Sequence, residues 1–292
     1  MTASTTDVAT AGLTNLYGEM TSLDRVLRAL SADGVDLAHL QARDLYERDL
    51  DCQNLGAHRV LELIASAVAQ RRAPEAVNTV LDVGCGMGGP GRYLADRFGC
   101  AVVGIDLLPM RVDVARSLTE RTGLADRITY RVADATALPV DDAEVEQVWM
   151  LDVGIHVRAK RVLFAELARV LAPGGFLVMH DQAGPLPPAM RSVTRGAPFI
   201  APTLPQLIRY VEDAGLRVID WQDTSADIIE YFRPIRARFE GKAARTDDGE
   251  RRQRYERIVA QANAYITTLA ELGGRTGVLI AQRRSERRPT GA

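Results

Sequence analysis

The chain has 292 residues, 47% of them hydrophobic and 25% charged, with 36 basic against 38 acidic side chains and a formal charge of −2. Those proportions describe an ordinary globular protein with core enough for one large domain or two small ones. They exclude the strong positive field that a nucleic acid or an anionic lipid surface would demand. Only Lys160 and Lys242 are lysines, and this arginine bias reads as genomic base composition rather than phosphate binding. Three cysteines, Cys52, Cys85 and Cys100, cannot close a paired framework and suit no metal cluster, so no metal is expected and the thiols read as reduced. The first residues, MTASTTDVATAG, lack the basic start and apolar run of a signal peptide. No stretch approaches the ~18–20 apolar residues of a membrane helix, and the expected location is the cytoplasm.

Residues 1–12 are small and polar and read as a disordered N-terminus. From Leu13 to about Arg72 the pattern is helical, with Val60, Leu61, Ile64 and Val68 on one face. Val77–Val83 reads as a buried strand, followed by the glycine-rich GCGMGGPG and a helix through Arg92–Phe98. Ala101–Ile105 is a second strand, and Pro109 sits near the first turn of the next helix, where proline is tolerated. Arg127–Val132 and Val145–Leu151 are the third and fourth strands. A helix with Leu163, Leu167, Val170 and Leu171 on one face stops at Pro173-Gly174-Gly175 and turns into strand Phe176–Met179. Beyond Asp181 a loop carries Pro185, Pro187, Pro188, Pro198 and Pro202; helix Leu204–Ala214, strand Leu216–Trp221, helices to about Gly273 and strand Gly277–Gln282 follow. Strands alternating with helices predict βαβ units, hence an α/β fold with a mostly parallel sheet covered on both faces. The expected organisation is a helical cap over 13–75, a cofactor-binding core over 76–283 with insertions around 182–202 and 222–272, and a flexible tail over 284–292.

The most informative segment is TVLDVGCGMGGPGRYLA. Gly84, Gly86 and Gly89 satisfy G-x-G-x-x-G, which means a tight strand-to-helix turn that lets backbone approach a ligand. Asp106 ends the second strand, placed to accept hydrogen bonds from a ribose. To this point a nicotinamide dinucleotide and S-adenosylmethionine fit alike. Three features favour the second. Asp82 ahead of the glycines would repel a pyrophosphate, whereas S-adenosylmethionine presents an ammonium and a sulfonium. Ala133-Asp134-Ala135 sets a carboxylate after the third strand, where an adenine amino group could donate. About 75 helical residues precede the first strand and could close over a small cofactor.

The segments VLDVGCGMGGPGRYLA, VVGIDL, VADATALPV and RVLAPGGFLVM resemble, in order and placement, the motifs of the class I S-adenosylmethionine-dependent methyltransferases. The likeness is nearest to the branch acting on sterols, tocopherols, prenyl diphosphates, sugars and alkaloids. The resemblance implies a Rossmann-like, seven-stranded sheet whose last strand enters antiparallel. Its cofactor is S-adenosyl-L-methionine, and its product S-adenosyl-L-homocysteine. Carried over by position, Asp82 would be among the residues at the cofactor, Gly84, Cys85 and Gly86 would hold the methionine part, Asp106 and Leu107 the ribose, and Asp134 and Ala135 the adenine, with Leu151 lining the site. Gln53 lies in the polar loop ahead of the capping helix, which departs from the histidine-containing version of some relatives, and Tyr17 either covers the cofactor or packs on the cap.

On the acceptor side, WMLDVGIHV places Asp152 where relatives carry Glu, with His156 a helical turn further on and able to titrate near neutrality. His180-Asp181 ends the fifth strand, and the carboxyl ends of the strands flank the crevice of open α/β sheets. Asp152, His156 and His180 are the candidate catalytic groups. Glu230, Tyr231 and Phe232 of the late helix either face the acceptor or, the favoured reading, pack the helix, and Leu186, Met190, Phe199, Ile200, Ile229 and Phe232 suggest an apolar acceptor. The expected partner is a small molecule, with no nucleic acid and no membrane, the oligomeric state, a homodimer included, being left open. The expected function is methyl transfer in specialised metabolism, leaning to an aromatic, indole or prenyl carbon. N- or O-methylation of an alkaloid, sugar or phenol, a NAD-type oxidoreductase and a non-catalytic subunit are the alternatives.

Overall fold

A computed structural model of the chain describes residues 5–18, 20–70, 78–185 and 197–284. The anticipated tail beyond Arg284, together with Val77 and the loop residues Leu186, Pro187, Pro188 and Met190, lies outside them. Seven strands form one sheet: β1 (Thr79–Val83), β2 (Ala101–Asp106), β3 (Ile128–Val132), β4 (Val145–Leu151), β5 (Leu171–Ala183), β6 (Leu216–Asp223) and β7 (Arg275–Arg283). Their order is β3-β2-β1-β4-β5-β7-β6. β7 runs antiparallel to both β5 and β6, and the other neighbouring pairs are parallel. The apolar runs of β1 and β4 suit strands covered on both faces.

Among the described residues four α-helices precede the sheet: α1 (Thr5–Tyr17), α2 (Leu23–Ala32), α3 (Ala42–Tyr46) and α4 (Ala57–Ala69). Then come α5 (Gly89–Phe98), α6 (Pro109–Arg121), α7 (Lys160–Val170), α8 (Leu204–Asp213), α9 (Ser225–Arg245) and α10 (Gly249–Ala270). Proline opens α5 and α6, where its missing N–H costs nothing, and Thr203 with Gln206 forms a capping box on α8. One face of the sheet packs Val60, Leu61 and Ile64 of α4 and Tyr93 and Leu94 of α5 on Val80 and Val102; Ile228 and Phe232 of α9 and Tyr265 of α10 join that layer. The other face packs Leu163, Phe164 and Leu167 of α7 and Leu207 and Val211 of α8 on Leu81, Val83, Val148 and Met150. No described helix is long and apolar enough to cross a membrane.

Two expectations need correction. The segment from Thr5 is helical rather than disordered: Leu13 gives α1 an apolar anchor against Leu108 and Ala197, which local composition could not reveal. β5 does not end at Asp181 but pairs with β7 as far as Ala183 opposite Arg275. His180, Asp181 and Gln182 therefore lie inside a strand, and their backbone is fixed by the sheet.

The helical cap is joined to the sheet layer by a fully buried ion pair. Arg92 of α5 donates from Nε and Nη2 to Asp51 Oδ2 at 3.1 and 2.7 Å, from Nη1 to Ala115 O and Thr119 Oγ1 at 3.2 and 2.9 Å, and from Nη2 to the Met87 carbonyl. Those five contacts match the five N–H donors of a guanidinium. Tyr46 of α3 adds a second tie, its hydroxyl donating to Asp96 Oδ2 at 2.7 Å. Removing one partner of a buried, satisfied pair costs about 3–5 kcal/mol, while an exposed pair is worth about 0–1 kcal/mol. Arg92→Leu should therefore lower the urea-unfolding free energy several-fold more than Arg161→Leu, whose pair with Asp213 is solvent-exposed. Equal losses would remove the pair from the stability account.

Candidate active site

A cleft of about 250 Å³ opens at the carboxyl ends of β1, β2 and β4, bordered by the turn after β3 and roofed by α1 and the loop before α4. This is where strand order reverses, the expected ligand position in an open α/β sheet. Its floor is the turn after β1. Gly84 N and Cys85 N both donate to Ile105 O, at 2.7 and 2.9 Å, which folds the turn against β2. Gly84 and Gly86 have φ of +76° and +57°, and a Cβ on them would strike Val153 and the Arg111 guanidinium respectively. Glycine is therefore favoured at both by backbone, and at Gly84 also by the short, stiff Val153 side chain beside it.

Asp106 closes β2 and fixes the floor. Its Oδ2 accepts from Gly86 N and its Oδ1 from Leu108 N, each at 2.9 Å. Asp134, after β3, accepts from Thr136 N and Oγ1 through Oδ1, both at 2.8 Å, leaving Oδ2 outside that turn. Leu107, Ala135, Leu151 and Cys85 line the cleft, as do Tyr17 and Gln53. Every residue expected at a cofactor except Asp82 is brought together here. Asp82 is 1% exposed and absent from the cleft lining; its carboxylate accepts from Gly91 N under the start of α5, and its Oδ2 has no partner. Burial, then the neighbouring Asp106 charge, push its carboxyl up to about 7. The expectation that Asp82 touches a cofactor is corrected: alternation within β1 turns it into the helix layer.

Asp152 follows β4 with φ +56°, a left-handed conformation that aspartate tolerates better than most residues. One oxygen, Oδ2, accepts from Leu55 N of the cap at 2.7 Å and faces His180 Nδ1 at 3.3 Å. The other, Oδ1, is buried and unpartnered. His180 is fully buried and does not reach the cleft; its Nε2 meets Thr224 Oγ1 at 3.0 Å, and Thr224 Oγ1 meets Thr276 Oγ1 at 3.2 Å. His180 is therefore corrected from a group touching a reactant to one that orients Asp152.

His156 lines the cleft with both ring nitrogens engaged. Pro198 O accepts from Nδ1 at 2.8 Å, so the neutral ring has its acceptor at Nε2, where Tyr17 donates its hydroxyl at 2.9 Å. Burial pushes His156 down to about 4 and the Tyr17 phenol up to about 12. The expectation that His156 titrates near neutrality is overturned by its desolvation. Instead it pins α1 and the segment before α8 across the cleft mouth. Lys160 donates to the carbonyls of Gly154 and Val157, holding the turn that carries His156, and burial lowers its ammonium to about 8. Of the apolar residues expected at the acceptor, Phe232 is stacked on Tyr265 with ring centroids 4.9 Å apart, and Phe199 packs edge-on to His156 at 5.3 Å.

Sequence reasoning missed Arg111 and Asp51. Arg111 lies over the Tyr17 ring at 4.3 Å, donates to Gln53 Oε1 at 2.7 Å and stands 3.7 Å from Asp106. Its position two residues after Pro109, on the first turn of α6, is a signal that could have found it. Asp51 leaves Oδ1 unpartnered beside the cleft.

An α/β fold with a glycine-floored cleft, acidic at the ends of β2 and β4, defines a protein that binds a nucleoside-type cofactor. A family model described as "Methyltransferase domain" matches residues 80–175. An O-methyltransferase of Penicillium expansum is 33% identical over 190 residues, 64% of this chain and 67% of that protein. A probable tocopherol O-methyltransferase of Oryza sativa is 37% identical over 118 residues, 40% of this chain but only 33% of that protein. Among solved structures, the (4+2)-cyclase SpnF superposes with a TM-score of 0.67 at 20% identity, covering 97% of this chain and 98% of that one. The chain belongs to the class I S-adenosylmethionine-dependent methyltransferases.

A raised native carboxyl pKa binds protons the unfolded chain releases, so the Asp82 contribution to stability falls as pH rises from about 4 to about 7. Asp82→Asn removes that term, and its Tm relative to the parent should climb across this window and level off above it. A climb of at least about 2 °C corresponds to roughly 1 kcal/mol in a domain of this size. A difference independent of pH would mean that Asp82 is not desolvated in the folded chain.

Proposed function

We propose that the chain binds S-adenosylmethionine in this cleft and transfers its methyl group to a small-molecule acceptor. The observation that carries the reading is the polar inventory of the cleft. Asp51, Asp106, Asp134 and Asp152 line it, and Asp51 Oδ1, Gln53 Nε2, Arg111 Nε and Asp152 Oδ1 are buried without partners. Buried polar atoms ordinarily find partners, so these point to a polar ligand. The carboxylates of Asp51, Asp106 and Asp134 suit a ligand carrying an ammonium and a sulfonium and disfavour a pyrophosphate, which leaves Asp152 for the acceptor. When bound, S-adenosylmethionine supplies an electrophilic methyl group.

The chain's own residues have distinct tasks in this reading. A carboxylate has about four lone-pair sites, so Asp106 can hold the floor by two and still accept from ribose hydroxyls. Asp134 Oδ2 and the Ala135 amide serve adenine, and the backbone from Gly84 to Gly86 lies against the amino-acid part. The Tyr17–His156–Pro198 bridge excludes water from the cleft mouth. Methyl transfer is an in-line displacement in which alignment carries most of the acceleration. Asp152 Oδ1 takes the acceptor's proton, while Leu55 N and His180 hold Oδ2 still. That role serves a carbon acceptor, which loses its proton after methylation, and equally a hydroxyl. The aromatic or prenyl carbon favoured by the sequence is retained as the finer proposal.

A mass-spectrometric turnover assay with S-adenosylmethionine and a panel of indoles, phenols, amines and prenyl diphosphates tests this, with the methylated atom located by NMR. Asp152→Asn should lower kcat by about 10²–10⁴, the usual worth of a positioned base, and leave S-adenosylmethionine affinity within about twofold. Asp106→Ala should instead raise the S-adenosylmethionine KM at least about tenfold with kcat little changed, the pattern of a lost charged hydrogen bond. Asp152→Asn with full turnover would make that residue structural, and an unchanged KM would remove Asp106 from the ribose.

A further inference from the structure

Among the described residues lining the cleft, Arg111 is the one buried cation; Arg158, the other arginine, is exposed. Its neighbours hold the guanidinium without satisfying every N–H. The Nε is buried and unpartnered, the Asp106 carboxylate is 3.7 Å away, beyond hydrogen-bond reach, and only Nη2 is engaged, by Gln53 Oε1 at 2.7 Å. The guanidinium lies against the Tyr17 ring and above Gly86, close enough that any Cβ on that glycine would collide with it. A nearly desolvated guanidinium with an open N–H, facing the glycine turn, is the arrangement that selects a carboxylate.

We infer that Arg111 is the receptor for the carboxylate of the cofactor's methionine part, and so sets the preference of the cleft for an amino-acid-bearing adenosyl compound over one lacking that carboxylate. The inference rests on the S-adenosylmethionine reading of the cleft. The charges match: S-adenosylmethionine carries two positive groups and one negative group. The cleft offers carboxylates at Asp51, Asp106, Asp134 and Asp152 and this one desolvated cation. Gln53 fixes one end of the guanidinium, and the Tyr17 face holds its plane, so the open edge is oriented before a ligand arrives. Such orientation lessens the ordering cost of binding. The same contacts join α1, the cap loop and α6 around one group, so a carboxylate on Arg111 would also sit where the roof meets the glycine floor.

The test is a cycle of two ligands and two proteins by titration calorimetry, using S-adenosylmethionine and decarboxylated S-adenosylmethionine against the parent chain and Arg111→Gln. The parent should bind the carboxylate-bearing form about 10- to 100-fold more tightly, the worth of one charge-assisted hydrogen-bond pair. Arg111→Gln should lose that discrimination by weakening S-adenosylmethionine alone, the decarboxylated form binding as well or better once a like charge is gone. Arg111→Lys should recover part of it. Equal weakening of both ligands would place Arg111 on the ribose side through Asp106 and overturn the inference, as would a parent chain that binds both forms alike. If Arg111→Gln fails to fold, the comparison of the two ligands on the parent chain still decides. Absence of binding by either form to the parent would instead overturn the cofactor reading on which the inference stands.

Discussion

A guanidinium sealed from water must find a partner for every N–H, and Arg92 finds them on three separate pieces of the chain: Asp51 of the cap, Met87 of the glycine-rich turn, and Ala115 and Thr119 of α6. The cleft is bounded by those same pieces. Asp51 and Gln53 come from the cap, Gly84 to Gly86 from the turn, and Arg111 from the first turn of α6. One buried ion pair therefore fixes the relative positions of floor, wall and roof. The design is unforgiving, because desolvated charges left alone are far costlier than the pair is beneficial.

A second constraint acts from the sheet. β5 runs past the ends of its parallel neighbours because antiparallel β7 continues to pair with it. His180, paired with Leu151 at the end of β4, lies just before this extension and beside Asp152, with Thr224 and Thr276 behind the imidazole. Asp152 is thereby restrained through one oxygen by cap and strand, while the other stays open. Rigidity of this kind comes from sheet pairing rather than from the loop in which Asp152 sits, and it is the support that the base role proposed for Asp152 would require.

The sheet was legible in the sequence because β1, β2 and β4 are short, largely apolar runs that end in or are followed by glycine or aspartate, and the ordered glycine and acidic motifs marked the end where the cleft lies. Gly84, Gly86, Asp106, Asp134 and Leu151, expected at the site from backbone geometry or strand-end position, all line the cleft. The site was read poorly where burial decides. Asp82 stands next to the glycine turn in sequence, yet the two-residue alternation of β1 points it away from the cleft. His156 and His180 are both histidines near strand ends, yet one is bound between Tyr17 and Pro198 and the other is enclosed behind Asp152. Arg111 was hidden by the abundance of arginine in the chain. A fold-level likeness would not have repaired these errors, since a solved structure superposing on nearly the whole chain is named a (4+2)-cyclase; a fold hosts chemistry but does not assign it.

An acidic, glycine-floored cleft of this kind suits an adenosyl cofactor without phosphates. Calorimetric titration of the whole chain with S-adenosylhomocysteine and, separately, NAD tests it most directly. One S-adenosylhomocysteine site per chain is expected, with a Kd in the micromolar range, about −8 kcal/mol, and no heat from NAD. Saturable NAD binding with no response to S-adenosylhomocysteine would contradict it.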